Sequence, residues 1–253
     1  MQHQDVGVPV SNSHWIALLS GSAMALLAFA LPMDIFGMDY MFTVHMVQHL
    51  LLALAASPLL LLGVAPVGLR QFLDHHQGLE RGIRVLTIPL VASALFNANL
   101  WLWHAPPLLA AMMEDTDLHL CVNLLYFITG LLFWWPLLRP LPGQALSLGG
   151  KLAYLFFSDM PMMLLGAGMT FSGPLYAFSM TNPPMHMVVP VEDQQLGGLL
   201  MWIVGSLFFY IVVASIFFLQ WMFRQEKLQQ AKEARLDEEG QDEDGSHALS
   251  DAE

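Results

Sequence analysis

Apolar residues gather into six long stretches, separated by short segments that hold most of the charged and turn-forming residues. A helix needs about 20 apolar residues to cross the roughly 30 Å hydrocarbon core of a bilayer. The stretches are too long for strands and lack the alternation of a transmembrane barrel, so they predict helices. The sequence therefore predicts an all-α polytopic integral membrane helix bundle with about six transmembrane helices. The predicted spans are residues 15–31, 43–63, 86–103, 118–138, 152–171 and 196–223.

All nine Lys and Arg residues fall on one side of this arrangement, between spans two and three, between spans four and five, and after span six. Basic residues concentrate in cytoplasmic loops, so both termini are predicted to be cytoplasmic. The first span lacks the basic region of a signal peptide and is predicted to be retained. The expected organisation is a cytoplasmic segment at 1–14, a six-helix transmembrane domain at 15–223, and an acidic, disordered cytoplasmic tail at 224–253.

Composition and charge narrow the possible functions. Hydrophobic residues make up 56% of the chain and charged residues 12%, with a formal net charge of -12. This balance argues against nucleic-acid binding, which needs basic patches. The single cysteine, Cys121, excludes an internal disulfide and a cysteine-based zinc site. No segment resembles a nucleophile with its base or a phosphate-binding glycine loop, so we predict that the protein is not an enzyme.

Four histidines are expected at one depth in the membrane. His45 and His49 lie one turn apart on one face of span two, His104 ends span three, and His119 begins span four. A rise of about 1.5 Å per residue places all four within about 10 Å of the outer boundary. Polar groups in a membrane usually face the interior of a bundle, and imidazoles can share a transition metal. We interpret the four as a metal-binding cluster.

Methionines favour copper as the metal, because soft thioethers suit Cu(I) and imidazole suits either copper state. The last outer loop contains Met185, His186 and Met187 in succession, and a ligand role there stays open beside an ordinary loop role. The methionines of span five are instead interpreted as apolar filler. They are Met160, Met162 and Met163.

Two acids have open roles. Asp159 lies about halfway along span five, where an acid is either functional or a buried hydrogen-bonding group. Asp193 stands at the outer mouth of span six. It either caps the start of that helix or completes the histidine cluster.

Four separated motifs carry a resemblance to a known family: HMVQHLLLALAASPLLLLGVAP, WLWHAPPLL, HLCVNLLYFITGLLFWWPLL and EDQQLGGLLMWIVG. In this order, over about residues 42–221, they resemble the polytopic CtaG family of bacterial membrane proteins, which is associated with assembly of caa-type cytochrome c oxidase. The family commonly has a second histidine four residues after the position of His119, where this sequence has Asn123. The resemblance implies metal-site roles for His45, His49, His104, His119 and Asp193.

The resemblance also implies a function in the bacterial plasma membrane, with cytochrome c oxidase subunits and membrane lipid as partners. Three interpretations stay open. The chain is an assembly factor that binds or delivers copper at its outer face, a haem-binding electron-transfer protein in which two histidines ligate one iron, or a metal-free structural chaperone for an oxidase subunit.

Overall fold

The computed structural model describes residues 12–30, 41–64, 72–138, 145–176 and 191–230, the last segment with gaps at 213, 216, 217, 220 and 227. Every regular element within these ranges is helical, which confirms the predicted all-α polytopic bundle. The loop that contains Met185, His186 and Met187 lies outside the described residues.

The helices follow the apolar stretches closely. The first half of the chain contains α1 (Asn12–Ala30), α2 (Met41–Leu50), a π-helical segment π1 (Leu51–Ala56), α3 (Ser57–Gly63), α4 (Gln77–Leu86) and α5 (Pro89–Trp103). The second half contains α6 (Pro106–Glu114), α7 (Thr116–Leu138), α8 (Leu148–Phe171), α9 (Val191–Leu199) and a second π-helical segment π2 (Leu200–Val204). The segments α2, π1 and α3 form one continuous span, and so do α9 and π2, which continue to Val212.

The number of spans agrees with the expectation of about six. Among the described residues, five helices are long and apolar enough to cross a membrane, and a sixth span forms if α4 and α5 count as one bent pair. The bend is 74°. Pro89 explains it, because proline cannot continue a helix and holds the preceding Ile88 in an extended conformation, at φ -56° and ψ 127°.

Two shorter helices were not expected from the apolar pattern. One is α4, which comes just before the bend into α5, and the other is α6, which lies between α5 and α7 in the chain. Proline at the first helical turn favours the start of α6, since the N–H that it lacks has no partner at that position anyway. Leu109 and Met112 are fully buried, so α6 is part of the packed domain.

Glycines let the spans approach closely. A Cβ atom on Gly63 would lie 2.6 Å from the Cα atom of Leu18, so α1 and α3 touch through their backbones. Likewise a Cβ on Gly198 would lie 2.7 Å from the carbonyl oxygen of Gly166, where α9 packs on α8. Small residues at such crossings favour helix association in a membrane.

The π1 segment has side-chain partners for its backbone. A π-helical turn departs from the regular α-helical hydrogen-bond ladder. The Ser57 hydroxyl donates to the carbonyl oxygen of Leu52 at 2.7 Å, and the Trp134 indole donates to that of Ala53 at 2.8 Å. Because polar backbone groups in a membrane need internal partners, these bonds hold the irregular segment in place.

The described residues between Tyr210 and residue 230 belong to a second unit and are helical. Most of the acidic tail predicted at 224–253 lies outside the described residues.

Candidate metal centre

The four predicted histidines lie at one end of the bundle, where α2 begins, α5 ends and α7 begins. His45 and His49 lie on α2, His119 lies in the first turns of α7, and His104 directly follows α5. His45, His49 and His104 are buried, with exposed fractions of 0%, 5% and 3%. Buried imidazoles at one depth are what the sequence predicted.

The imidazole rings follow one another from helix to helix. Nδ1 of His45 and Nε2 of His119 lie 3.2 Å apart and share a hydrogen bond. The ring centroid of His45 is 3.9 Å from that of His49, which is 6.4 Å from that of His104. We call His45, His49 and His119 the imidazole cluster.

Several polar atoms of this region are buried without a hydrogen-bond partner among the described residues. They include Nε2 of His45, both ring nitrogens of His49, and Oδ1 of Asn123. The side chains of His49 and Asn123 still interact, but without a hydrogen bond of ordinary geometry. A buried polar atom without a partner costs about 1–3 kcal/mol, so native proteins rarely leave several together unless water or an ion satisfies them. The donor set therefore fits a ligand that accepts nitrogen and amide-oxygen lone pairs.

Asn123 occupies the position where a second α7 histidine was expected from the resemblance. It is 3% exposed, and its Nδ2 lies 3.5 Å from Nε2 of His119. The side chain is thus directed toward the imidazole cluster.

Asp193 makes its hydrogen bonds at the start of α2. Its carboxylate accepts hydrogen bonds from the backbone N–H groups of Phe42 and Thr43, at 2.8 and 2.9 Å, and from the Thr43 hydroxyl. It therefore caps the start of α2, the helix that carries His45 and His49, while its role as a metal ligand stays a prediction. Within the described residues no hydrogen bond joins Asp193 to a histidine.

As the side chains stand, no group of three or more His, Cys, Asp or Glu residues in the described part of the chain could hold a metal ion. Two ligands on one ion, with bonds of about 2.0–2.1 Å at a tetrahedral angle, lie about 3.3–3.4 Å apart. The nitrogens of His45 and His119 are close to that separation, whereas a third nitrogen requires the His49 ring to turn.

Other residues around the histidines were not singled out in the sequence. The Tyr126 ring stacks on the His49 ring with centroids 3.8 Å apart. The Tyr176 hydroxyl donates to the carbonyl oxygen of His104 at 2.9 Å. The thioether of Met46 lies 3.5 Å from Nε2 of His104. Met46 could have been singled out from the sequence, because it directly follows His45 in the motif HMVQH.

Asp159 is buried on α8. Its carboxylate accepts a hydrogen bond from the Ser206 hydroxyl at 3.0 Å. The observed contact matches a buried hydrogen-bonding group, which was one of its two open roles.

Residues 1–224 match the protein family described as the cytochrome c oxidase caa3 assembly factor, Caa3_CtaG. The chain belongs to this family. The match covers all the described spans and confirms the resemblance that the four motifs indicated.

Two similar proteins are uncharacterized proteins of Mycobacterium bovis and Mycobacterium tuberculosis. Each is 26% identical over an alignment 243 positions long that covers 87% of this chain. The chain spans about a third (35%) of the length of these relatives. No solved structure matches the chain.

Proposed function

We propose that the protein supports assembly of caa3-type cytochrome c oxidase by holding copper at the imidazole cluster. Family membership supports the oxidase as the process that is served. The unpartnered nitrogens of His45 and His49, buried beside His119, support a metal-binding role and are the observation that carries the proposal.

Copper fits this donor set better than zinc. A structural zinc site is closed, with four ligands held around the ion. Here only His45 and His119 already stand at the separation of two shared ligands, and His49 has to turn to join them. An incomplete site with imidazole donors suits an ion that is held briefly and passed on, and imidazole accepts copper in both oxidation states.

Asn123 belongs to the proposed ligand set, whereas Asp193 does not. Asn123 contributes an amide oxygen, a harder ligand than the imidazole expected there, and this makes the site weaker. Asp193 is engaged by the start of α2 and stays outside the proposed ligand set.

Haem binding has less support. The cavity beside His49 and His104 has a volume of about 20 Å³. Sites for cofactor-sized ligands are commonly about 300–1,000 Å³, so a porphyrin does not fit between these side chains without a large rearrangement of the helices.

The segregation of basic residues predicts that the imidazole cluster faces the outside of the cell. In that orientation the cluster receives copper on the outer side of the membrane.

The test compares Cu(II) binding by purified protein in mild detergent with that of His45→Ala and His119→Ala. We expect Cu(II) affinity to fall more than about tenfold in both, because even the groups that support a metal ligand contribute this much. Electron paramagnetic resonance of the wild type should show nitrogen ligation. The control is His76→Ala, an exposed histidine between spans two and three.

Protein level in the membrane should be unchanged in all three variants, while oxidase activity should fall in the first two. If His45→Ala and His119→Ala keep wild-type Cu(II) affinity, the copper proposal is wrong. The metal-free structural chaperone then takes its place.

A further inference from the structure

A small cavity lies inside the bundle beside the imidazole cluster. Its volume of about 20 Å³ has room for roughly one water molecule or one metal ion. Besides Tyr126 and purely hydrocarbon side chains, its lining consists of three thioethers and two imidazoles: Met46, Met162, Met201, His49 and His104. We call it the thioether cavity.

The three methionines are buried at this place. Each is 2% exposed, and they come from α2, α8 and π2. A Cβ atom on Gly205 would lie 2.8 Å from Cε of Met162, and one on Gly197 would lie 3.1 Å from Cγ of Met46. A side chain in place of either glycine would therefore displace the methionine that packs against it.

The protonation of His104 follows from one hydrogen bond. Its Nδ1 lies 2.7 Å from the carbonyl oxygen of Leu100. A carbonyl oxygen only accepts, so Nδ1 carries the proton and donates it. In a neutral, buried imidazole the other nitrogen, Nε2, then presents a lone pair, and this pattern of a backbone carbonyl fixing the tautomer is typical of metal-ligating histidines.

That lone pair faces sulfur. Nε2 of His104 lies 3.5 Å from Sδ of Met46, and a thioether has no hydrogen to donate. The contact is therefore not a hydrogen bond, and two electron-rich atoms face each other in a buried place. Nitrogen and sulfur bound to one ion, with bonds of about 2.0–2.3 Å at a tetrahedral angle, lie about 3.5 Å apart. A cation between them satisfies both.

The charge of the cavity selects among cations. No lining residue carries a formal charge. The cost of moving an ion out of water rises with the square of its charge, so an uncharged cavity within a membrane favours a monovalent ion over a divalent one. Thioethers are soft ligands. Cu(I) is a soft, monovalent ion that accepts imidazole ligands, and Ag(I) is its redox-inert counterpart.

Both π-helical segments of the described chain border this cavity. Ala53 and Leu54 of π1 and Met201 of π2 belong to its lining. A π-helical turn inserts one residue and rotates the side chains that follow, and such turns occur often at functional sites.

We propose that the thioether cavity is a second metal site, specific for Cu(I), with Met46, His104, Met162 and Met201 as its soft and neutral ligands. It rests on the proposed function in one respect, which is that copper is the ion carried. It extends the copper-binding region of the chain from the imidazole cluster into the bundle, where sulfur replaces nitrogen as the main donor.

The test uses purified full-length protein in mild detergent, stripped of metal and titrated with Ag(I) or, without oxygen, with Cu(I) against a coloured Cu(I) chelator. The decisive variant is the triple substitution Met46→Leu, Met162→Leu and Met201→Leu. Leucine keeps nearly the same volume, so folding should be affected little. The matched control is Met112→Leu, an equally buried methionine that is outside the cavity lining.

Wild type and Met112→Leu should bind one more equivalent of Ag(I) or Cu(I) than the triple variant, and X-ray absorption of the Cu(I) protein should show sulfur ligation that the triple variant lacks. Cu(II) affinity should be the same in all three. The single variant Met46→Leu should weaken the second equivalent at least about tenfold.

Two results overturn the proposal, and they differ in what else they overturn. If the triple variant binds Cu(I) as wild type does, without sulfur ligation in either, the thioether site is wrong, while loss of Cu(II) in His45→Ala still supports the imidazole cluster. If wild type binds neither Cu(II) nor Cu(I), both sites are wrong.

Discussion

The start of α2 is held by a carboxylate from another helix, and replacing that carboxylate tests how the histidines are positioned. Asp193 is 1% exposed and accepts the N–H groups of Phe42 and Thr43 at 2.8 and 2.9 Å. These N–H groups belong to the first turn of α2, which has no intrahelical acceptor for them. His45 follows within one turn, so the cap also fixes the place of the imidazole cluster.

The size of the effect follows from these bonds. A hydrogen bond to a charged group contributes about 1.5–3 kcal/mol, and loss of a helix N-cap costs about 0.5–2 kcal/mol. Asp193→Ala removes the acceptor of two backbone N–H groups, so we expect a loss of about 2–4 kcal/mol. For a domain of this size each kcal/mol lowers Tm by about 2–4 °C, which gives a fall of at least about 4 °C.

The assay is thermal unfolding of metal-free protein in detergent, with Glu192→Ala as control, since Glu192 is the exposed neighbour of Asp193. Asp193→Asn should lie between wild type and Asp193→Ala, because an amide keeps one acceptor oxygen. If metal-free Asp193→Ala unfolds at the wild-type temperature but has lost copper, the capping role is wrong and the carboxylate is a ligand after all.

Two further predictions concern packing and orientation. Gly198→Ala should destabilise the metal-free protein by about 1–3 kcal/mol in the same unfolding assay, because its Cβ would lie 2.7 Å from the Gly166 carbonyl oxygen. The control Gly168→Ala should leave stability unchanged, since its Cβ would have open space around it. Equal unfolding temperatures for the two variants would contradict the close approach of α8 and α9. The segregated basic residues predict a cytoplasmic C-terminus, so a reporter that works only in the cytoplasm should be active when it is fused after Glu253. If a reporter that works only outside the cytoplasm is active there instead, the topology is inverted and the imidazole cluster faces the cytoplasm.

The membrane spans could be predicted from the sequence because length and hydrophobicity decide them. The predicted span at 43–63 differs by one residue from the observed Phe42–Gly63, and the common depth of His45, His49, His104 and His119 follows from counting residues along such spans. The bend before Pro89 also has a local cause. These features depend on residues close together in the chain.

The partners of Asp193 and Met162 could not be predicted in the same way. Asp193 caps a helix that begins 150 residues earlier, and its position at the mouth of its own helix gave no indication of that. The interpretation of Met162 as apolar filler rested on composition alone. Its place in the thioether cavity depends on the rotation of α8 and on the irregular turns π1 and π2, which a regular 3.6-residue period does not describe.

His49 connects the two proposed copper sites. Its ring is 3.9 Å from that of His45 and it lines the thioether cavity, while neither of its nitrogens has a hydrogen-bond partner among the described residues. His45 and His104 are each oriented by a contact at one ring nitrogen, to His119 and to Leu100. His49 is oriented by ring stacking on Tyr126 and by its interaction with the Asn123 side chain. Loss of copper in His49→Ala would therefore not distinguish one site from the other. This is why the imidazole cluster is tested through His45 and His119 and the thioether cavity through its methionines.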